Sequence, residues 1–454
     1  MNWDDRMRRN NTGPGPFDGS PVLDSGSFCP VADLPGGTAG FGRVDGRTVY
    51  IAEFPETLDT AAIRAICRCM RQAGQNGAPF VSIVNCAGLK ITEGAAVVDG
   101  AAGLLWERAR LSGVAPQITV VSGACEGLCG VFAAMGDAVV MTQNARLASA
   151  GAGVLAAAGA DKPGAPSAHN ATGLVAFTVD SMEAAHAKTR ELLSFLPDNN
   201  LCDPPVFSND SANRLVPELD ALGEGYGDVR EIIATLVDGR DFCEASSGFG
   251  PGAATLFARF CGQAVGVAGI NPGARLCADS LIKITRFARL CDSFHLPLVV
   301  FADCEGLAVD AVNEGVVLIQ AAGLADTLAG FSAPRITVVT GRFLGAACAL
   351  FGRGLGTDAV LAWPCAEIAP MSAEGMTSVL AQSFDTADPV AARAKAADDY
   401  RENMADPWSA LKAGLVDEVI APSATRAAIC ARLGPLADKR VAKPPRKHGC
   451  GLGG

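Results

Sequence analysis

Apolar positions along this chain fall into two rhythms that follow one another in a fixed order. GFGRVDGRTVYIAEF, from Gly40, reads as a hairpin-like opening. DTAAIRAICRCMRQAGQ, from Asp59, places its apolar residues at helical spacing, and PFVSIVNC, from Pro79, is a short β-branched run that predicts a buried strand. A glycine loop and a second helix follow. Next come the strand ITVV at Ile118, a Gly-rich turn, a helix of small residues and a further strand, AVVMT, at Ala138. The same succession then returns. LFARFCGQAVGVAGI begins at Leu256, DSLIKITRFARLCDSF at Asp279, PLVVFADC at Pro297, ITVV at Ile336 and AVLAW at Ala359.

The repetition extends to single residues. PQITVVSGACEGLCGVFAAM at Pro116 is answered by PRITVVTGRFLGAACALFG at Pro334, 218 positions on. The same displacement carries Asn85 onto Asp303, Gly123 onto Gly341 and Gly127 onto Gly345, while Phe41 answers Phe257 at 216. Ordered anchors at nearly one spacing indicate two copies of a domain of about two hundred residues. Apolar strands alternating with helices predict an α/β layered fold with largely parallel pairing. The Pro/Asn/Asp/Ser-rich stretch 197–214 is the natural linker, which gives domains at 18–206 and 207–436 and a basic Gly/Pro-rich tail at 437–454. RLASAGAGVLAAAGA, from Arg146, is too short and too small-sided for a membrane span and is expected to pack tightly in a core.

Composition narrows the function. With 454 residues, 49% of them hydrophobic and 19% charged, the chain is globular. A net charge of −11 argues against a nucleic-acid partner, which calls for a basic face. The polar start MNWDDRMRRNN lacks a secretory core, so a cytoplasmic location is expected. Sixteen scattered cysteines then read as buried free thiols, and four unclustered histidines (His169, His186, His295, His448) argue against a zinc site. No metal is expected.

G-A-C-E-G around Cys125 fits the turn that presents a nucleophile in α/β-hydrolases. The second copy keeps the turn but has Phe343 in the matching slot, so the turn is kept for its backbone. The first N–H groups of a helix lack intrahelical acceptors, and glycine permits the close approach of a ligand oxygen. Two such turns, at Gly127 and Gly345, would supply two oxyanion pockets.

GFGRVDGRTVY, CAGLKITEGA, SGVAPQITVVSGAC, ITRFARLCDSFHLPLVVFAD, APRITVVTG, AWPCAEIAPMSAEG and PPRKHG, in that order, resemble the carboxyltransferase subunit of biotin-dependent acyl-CoA carboxylases, decarboxylases and transcarboxylases. That resemblance implies two tandem crotonase-like ββα-spiral domains related by duplication, working as dimers or trimers of dimers. It implies a coenzyme A thioester on the first copy, with Gly127 and Leu128 at the thioester oxygen. It implies biotin against the second copy, with Gly345, Ala346 and Ala347 at the ureido oxygen. Gly88, Lys90, Gly123, Gly306 and Gly341 are the accompanying ligand-side positions. The chain has neither the Met-Lys-Met setting of a biotinylated lysine nor a phosphate loop. The implied partners are therefore a biotin carboxyl carrier protein and either a biotin carboxylase or a membrane decarboxylase subunit.

The sequence departs from the family at Leu128, where glycine is usual, at Lys90, where arginine is usual, and at Gly345-Ala346-Ala347-Cys348-Ala349, where Gly-Gly-Ala-Tyr-Asp is common. Two readings stay open at this point. One is an active carboxyltransferase for a short acyl-CoA such as propionyl- or methylmalonyl-CoA; the other is a weakly active or structural paralogue.

Overall fold

Alternating apolar runs pair with their neighbours in the chain to build two mixed sheets. The computed structural model describes residues 20–159, 164–207, 210–222, 226–309, 311–380, 388–439 and 441. The first sheet contains β1 (Cys29–Pro30), β2 (Thr38–Val44), β3 (Arg47–Glu53), β4 (Phe80–Cys86), β5 (Gln117–Glu126), β6 (Ala138–Thr142), β7 (Arg146–Ala148) and β8 (Phe177–Val179). Its order is β1-β2-β3-β4-β5-β6-β8, with β7 pairing β5. The second sheet contains β9 (Phe242–Ala245), β10 (Ala253–Phe260), β11 (Gln263–Ile270), β12 (Ala274–Leu276), β13 (Leu298–Leu307), β14 (Arg335–Leu344), β15 (Ala359–Ala362), β16 (Glu367–Ala369) and β17 (Glu418–Val419). Its order is β17-β15-β14-β13-β11-β10-β9, with β12 on β13 and β16 on β14.

The expected hairpins are present. β2 and β3 run antiparallel across Asp45-Gly46, and β10 and β11 across Cys261-Gly262. Each two-residue turn has positive φ at both positions (50° and 81°; 55° and 81°), which matches the twist of the flanking strands. The strands that follow pair in parallel, β3-β4-β5 and β11-β13-β14-β15. Parallel pairing needs a crossover. In the first sheet the crossovers contain α1 (Thr60–Asn76) and α2 (Ala95–Leu111), followed by a short α3 (Leu128–Ala134); in the second they contain α4 (Ala278–Ser293) and α5 (Glu314–Ala329), followed by α6 (Ala346–Phe351). α1 starts where Asp59 accepts the Ala62 N–H (2.8 Å) and stops at Gly77 in the left-handed region.

By contacts the chain divides into two compact units, Met1–Gly136 with Thr142–Pro163 and Val179–Arg190, and Asp137–Met141 with Gly164–Thr178 and Glu191–Gly454. The second unit's core is a continuous apolar cluster from Val229, Ile232 and Ile233 through Leu256, Val267 and Phe301 to Trp363, Ile429 and Leu433. Trp363 is fully enclosed because its indole N–H donates to Thr425 Oγ1 (2.9 Å). Among the described residues no helix is long and apolar enough to cross a membrane.

Two expectations fail. Only the start of the alanine-rich run enters a core, where Leu147 and Ala148 are buried in β7; the rest gives a short helix, Ala152–Ala157, with no buried residue and with Val154 65% exposed. Most of that helix is alanine or glycine, which offer little apolar area, so leaving those residues in water costs little. The thiols are not all free either. Cys261, in the β10–β11 turn, is joined by a disulfide to Cys430 on helix Thr425–Leu436, 169 residues away. Only the packing of that helix brings the two together. Among the described residues thirteen cysteines are free and seven of these are buried, while Cys29, Cys202 and Cys365 are exposed. Cys450 and the PPRKHG run lie outside the described residues, as does most of the tail.

Candidate active site

Both glycine turns form at the end of the strand the sequence assigns them, β5 and β14, and their backbones superimpose in angle. Gly127 has φ 63° and ψ −125°; Gly345 has φ 54° and ψ −123°. Only glycine enters that region without strain. The N–H of Gly127 donates to Ala148 O on β7 (2.9 Å), and that of Gly345 donates to Ala369 O on β16 (3.0 Å). Each glycine therefore spends its own amide on a side strand and supplies shape.

The open donors come next in the chain. Val131 is the first residue of α3 whose N–H reaches back, to Gly127 O (3.2 Å), and Ala349 does the same in α6, to Gly345 O (3.3 Å). The amides of Leu128, Cys129 and Gly130, and of Ala346, Ala347 and Cys348, thus have no acceptor within their helices. Gly127 and Leu128 are only partly buried, as are Gly345 and Ala346.

Gly123 and Gly341 have a different task. The strand pairs β4–β5 and β13–β14 both slip register at the same point, between Val84 and Cys86 and between Ala302 and Cys304. There Asn85 Oδ1 accepts the Ala124 N–H and Asp303 Oδ1 the Arg342 N–H, each at 3.0 Å. A Cβ on Gly123 would lie 2.1 Å from Asn85 Oδ1, and one on Gly341 2.2 Å from Asp303 Oδ2. These glycines make room for the side chain that pins the strand end. Gly123→Ala is expected to cost about 1–3 kcal/mol of stability by overpacking. Adding Asn85→Ala should recover part of the loss, read from urea midpoints as a double-mutant cycle.

Gly88 and Gly306 carry φ of 137° and 104° and accept, through their carbonyls, the thiols of Cys86 (3.4 Å) and Cys304 (3.5 Å). Lys90 reaches Asp59 (3.6 Å) and Glu93 (3.9 Å), which clasps the loop after β4 to the start of α1. Cys125 is fully buried, and burial pushes its thiol up to about 12, with Cys86 and Glu126 adding to the rise. A thiol in that state is inert as a nucleophile.

Beside the second turn lies a cavity of about 650 Å³, bordered by Phe343, Gly345, Cys348, Ala349, Ile368 and Ala369 and closed by residues from Met404 to Val416. Its walls are largely apolar. Nothing in the residue pattern signals this cavity, because its far wall comes from a segment outside the repeat.

A duplicated strand–glycine–helix turn with open amides in both copies is matched by a family model for the carboxyl transferase domain, over residues 35–450. This chain belongs to the carboxyl transferase family. It is 33% identical over 445 residues to the methylmalonyl-CoA carboxyltransferase 12S subunit of Propionibacterium freudenreichii subsp. shermanii, covering 92% of this chain and 84% of that one. It is 32% identical to the methylmalonyl-CoA decarboxylase subunit alpha of Propionigenium modestum (92% and 86% covered). With the mitochondrial propionyl-CoA carboxylase beta chain of Sus scrofa it shares 33% identity (90% and 79% covered). The crystal structure of transcarboxylase 12S, a hexamer assembly with hydrolysed methylmalonyl-coenzyme A bound, matches with a TM-score of 0.89 at 31% identity, covering 98% of this chain and 91% of that one. The duplicated crotonase-like architecture expected of a carboxyl transferase is the one found.

Proposed function

We propose that this carboxyl transferase moves a carboxyl group between biotin, borne on a separate carrier protein, and a short acyl-CoA of the propionyl/methylmalonyl type. The observation that supports it most is the pair of matching turns, each with its glycine amide consumed and the next three amides without an acceptor in their helix. We assign the acyl thioester to the first copy (18–206) and biotin to the second (207–436). The partner set is a biotin carboxyl carrier protein with a biotin carboxylase or a membrane decarboxylase subunit, and the location is the cytoplasm.

In the first copy the N–H groups of Leu128 and Cys129 hold the thioester oxygen as it gains charge, and Gly127 sets their direction. In the second, the amides of Ala346 and Ala347 suit the ureido oxygen, the second oxyanion position, and the apolar cavity beside Gly345 suits an uncharged bicyclic ring. Biotin, when bound, supplies the carboxyl acceptor and donor nitrogen. No side-chain acid or base is required from this chain, in keeping with a buried, unactivated Cys125. Backbone amides fixed in a water-poor site need no reorganisation as charge develops.

The test is carboxyl exchange by the purified chain between a biotinylated carrier and malonyl-, methylmalonyl- or glutaconyl-CoA. Exchange with methylmalonyl-CoA is expected. Absence of exchange with all three sinks the proposal.

A further inference from the structure

The two turns share a backbone but not their surroundings. In the first copy, β7 lies alongside the end of β5 in the register Ala124↔Arg146, Cys125↔Leu147, Glu126↔Ala148. In the second, β16 lies alongside β14 as Arg342↔Glu367, Phe343↔Ile368, Leu344↔Ala369. Ladder position for ladder position, Glu126 corresponds to Leu344, and Arg146 to Glu367. Duplication kept the turn and replaced its charges. The charges are therefore no requirement of the turn.

Glu126 is the last residue before Gly127, and its side chain is only 9% exposed. A carboxylate there needs a partner, and Arg146 Nη2 supplies one at 2.8 Å. The arginine side chain itself stays half exposed, at 49%, and that is its one side-chain hydrogen bond among the described residues. Arginine carries five N–H donors in a rigid fork. The remaining donors are thus held, on a half-exposed side chain, by Glu126, the residue next to the turn proposed to take the thioester oxygen.

We infer that Arg146, positioned by Glu126, is a specificity-determining residue that recognises a carboxylate carried by the acyl group of the CoA thioester. This inference rests on the proposed function. The carboxylate has two possible sources, the α-carbon, as in a malonyl-type thioester, or the far end of a dicarboxylic acyl chain. Guanidinium and carboxylate make the strong bidentate pair in either case.

Equilibrium binding of propionyl-, methylmalonyl- and glutaconyl-CoA to the wild type, Arg146→Met and Arg146→Lys tests it, because binding stays readable whatever the exchange activity. Arg146→Met is expected to weaken methylmalonyl-CoA or glutaconyl-CoA about tenfold, the loss of one charge-assisted contact. Propionyl-CoA should stay within about twofold, and Arg146→Lys should recover part of the loss. The thioester that suffers identifies the source of the carboxylate. Equal weakening of all three, or no change in any, overturns the inference while exchange by the wild type still upholds the proposed function. A wild type that binds none of the three removes both.

Discussion

Ala346→Pro is expected to cut carboxyl exchange by about 10²–10³-fold while leaving the fold intact. Proline is tolerated at the first position of a helix, where the N–H has no helical acceptor and φ is already suitable. Ala346 occupies that position in α6, directly after Gly345. The substitution therefore removes one donor from the second turn and little else. Leu128→Pro is the same experiment in the first copy, directly after Gly127. Both changes are checked by exchange kinetics beside thermal unfolding. A variant that keeps its exchange rate shows that the amide does not touch the reaction, and one that loses its melting transition shows that the residue serves folding instead. Comparing the two separates the roles of the copies: Leu128→Pro should impair steps on the thioester, whereas Ala346→Pro should impair the carrier half-reaction alone.

Arg426→Met carries the largest expected effect on stability, about 3–5 kcal/mol. Arg426 is completely buried. Its guanidinium donates to Asp238 Oδ1 (2.6 Å), Leu236 O (2.6 Å) and Ser211 O (3.0 Å). Asp238 in turn accepts the N–H groups of Cys261 (3.1 Å) and Gly262 (2.6 Å), so one carboxylate joins the C-terminal helix to the β10–β11 hairpin turn. Methionine fills much of the volume but abandons a buried carboxylate. The disulfide between Cys261 and Cys430 ties the same helix to the same turn, so a reductant should deepen the loss. Urea unfolding with and without reductant reads both effects. A loss below about 1 kcal/mol would mean that the ion pair merely offsets its own desolvation.

Much of this protein was legible in its residues. The amphipathic runs after Asp59 and Asp279 became α1 and α4, and PFVSIVNC and PLVVFADC became β4 and β13 with the parallel pairing expected of buried β-branched strands. The repeat fixed which glycines correspond. It also showed that the turn around Cys125 is kept without its cysteine, and burial of that thiol agrees. What failed was local reading of small residues: an alanine-rich segment looks the same whether it is covered or left in water.

The sequence by itself determined the order of elements, the duplication and the two positions where the backbone must turn through a region open to glycine, because periodicity and φ preference are properties of neighbouring residues. The tertiary structure alone decided which amides remain open, since Gly127 and Gly345 lose theirs to carbonyls 21 and 24 residues further along, on β7 and β16. It likewise decided that Glu126 meets Arg146, and that Cys261 meets Cys430 across 169 residues. Those meetings depend on strand register and on how helices lie on the sheet, which are set by the burial of the whole core and leave no trace in local spacing.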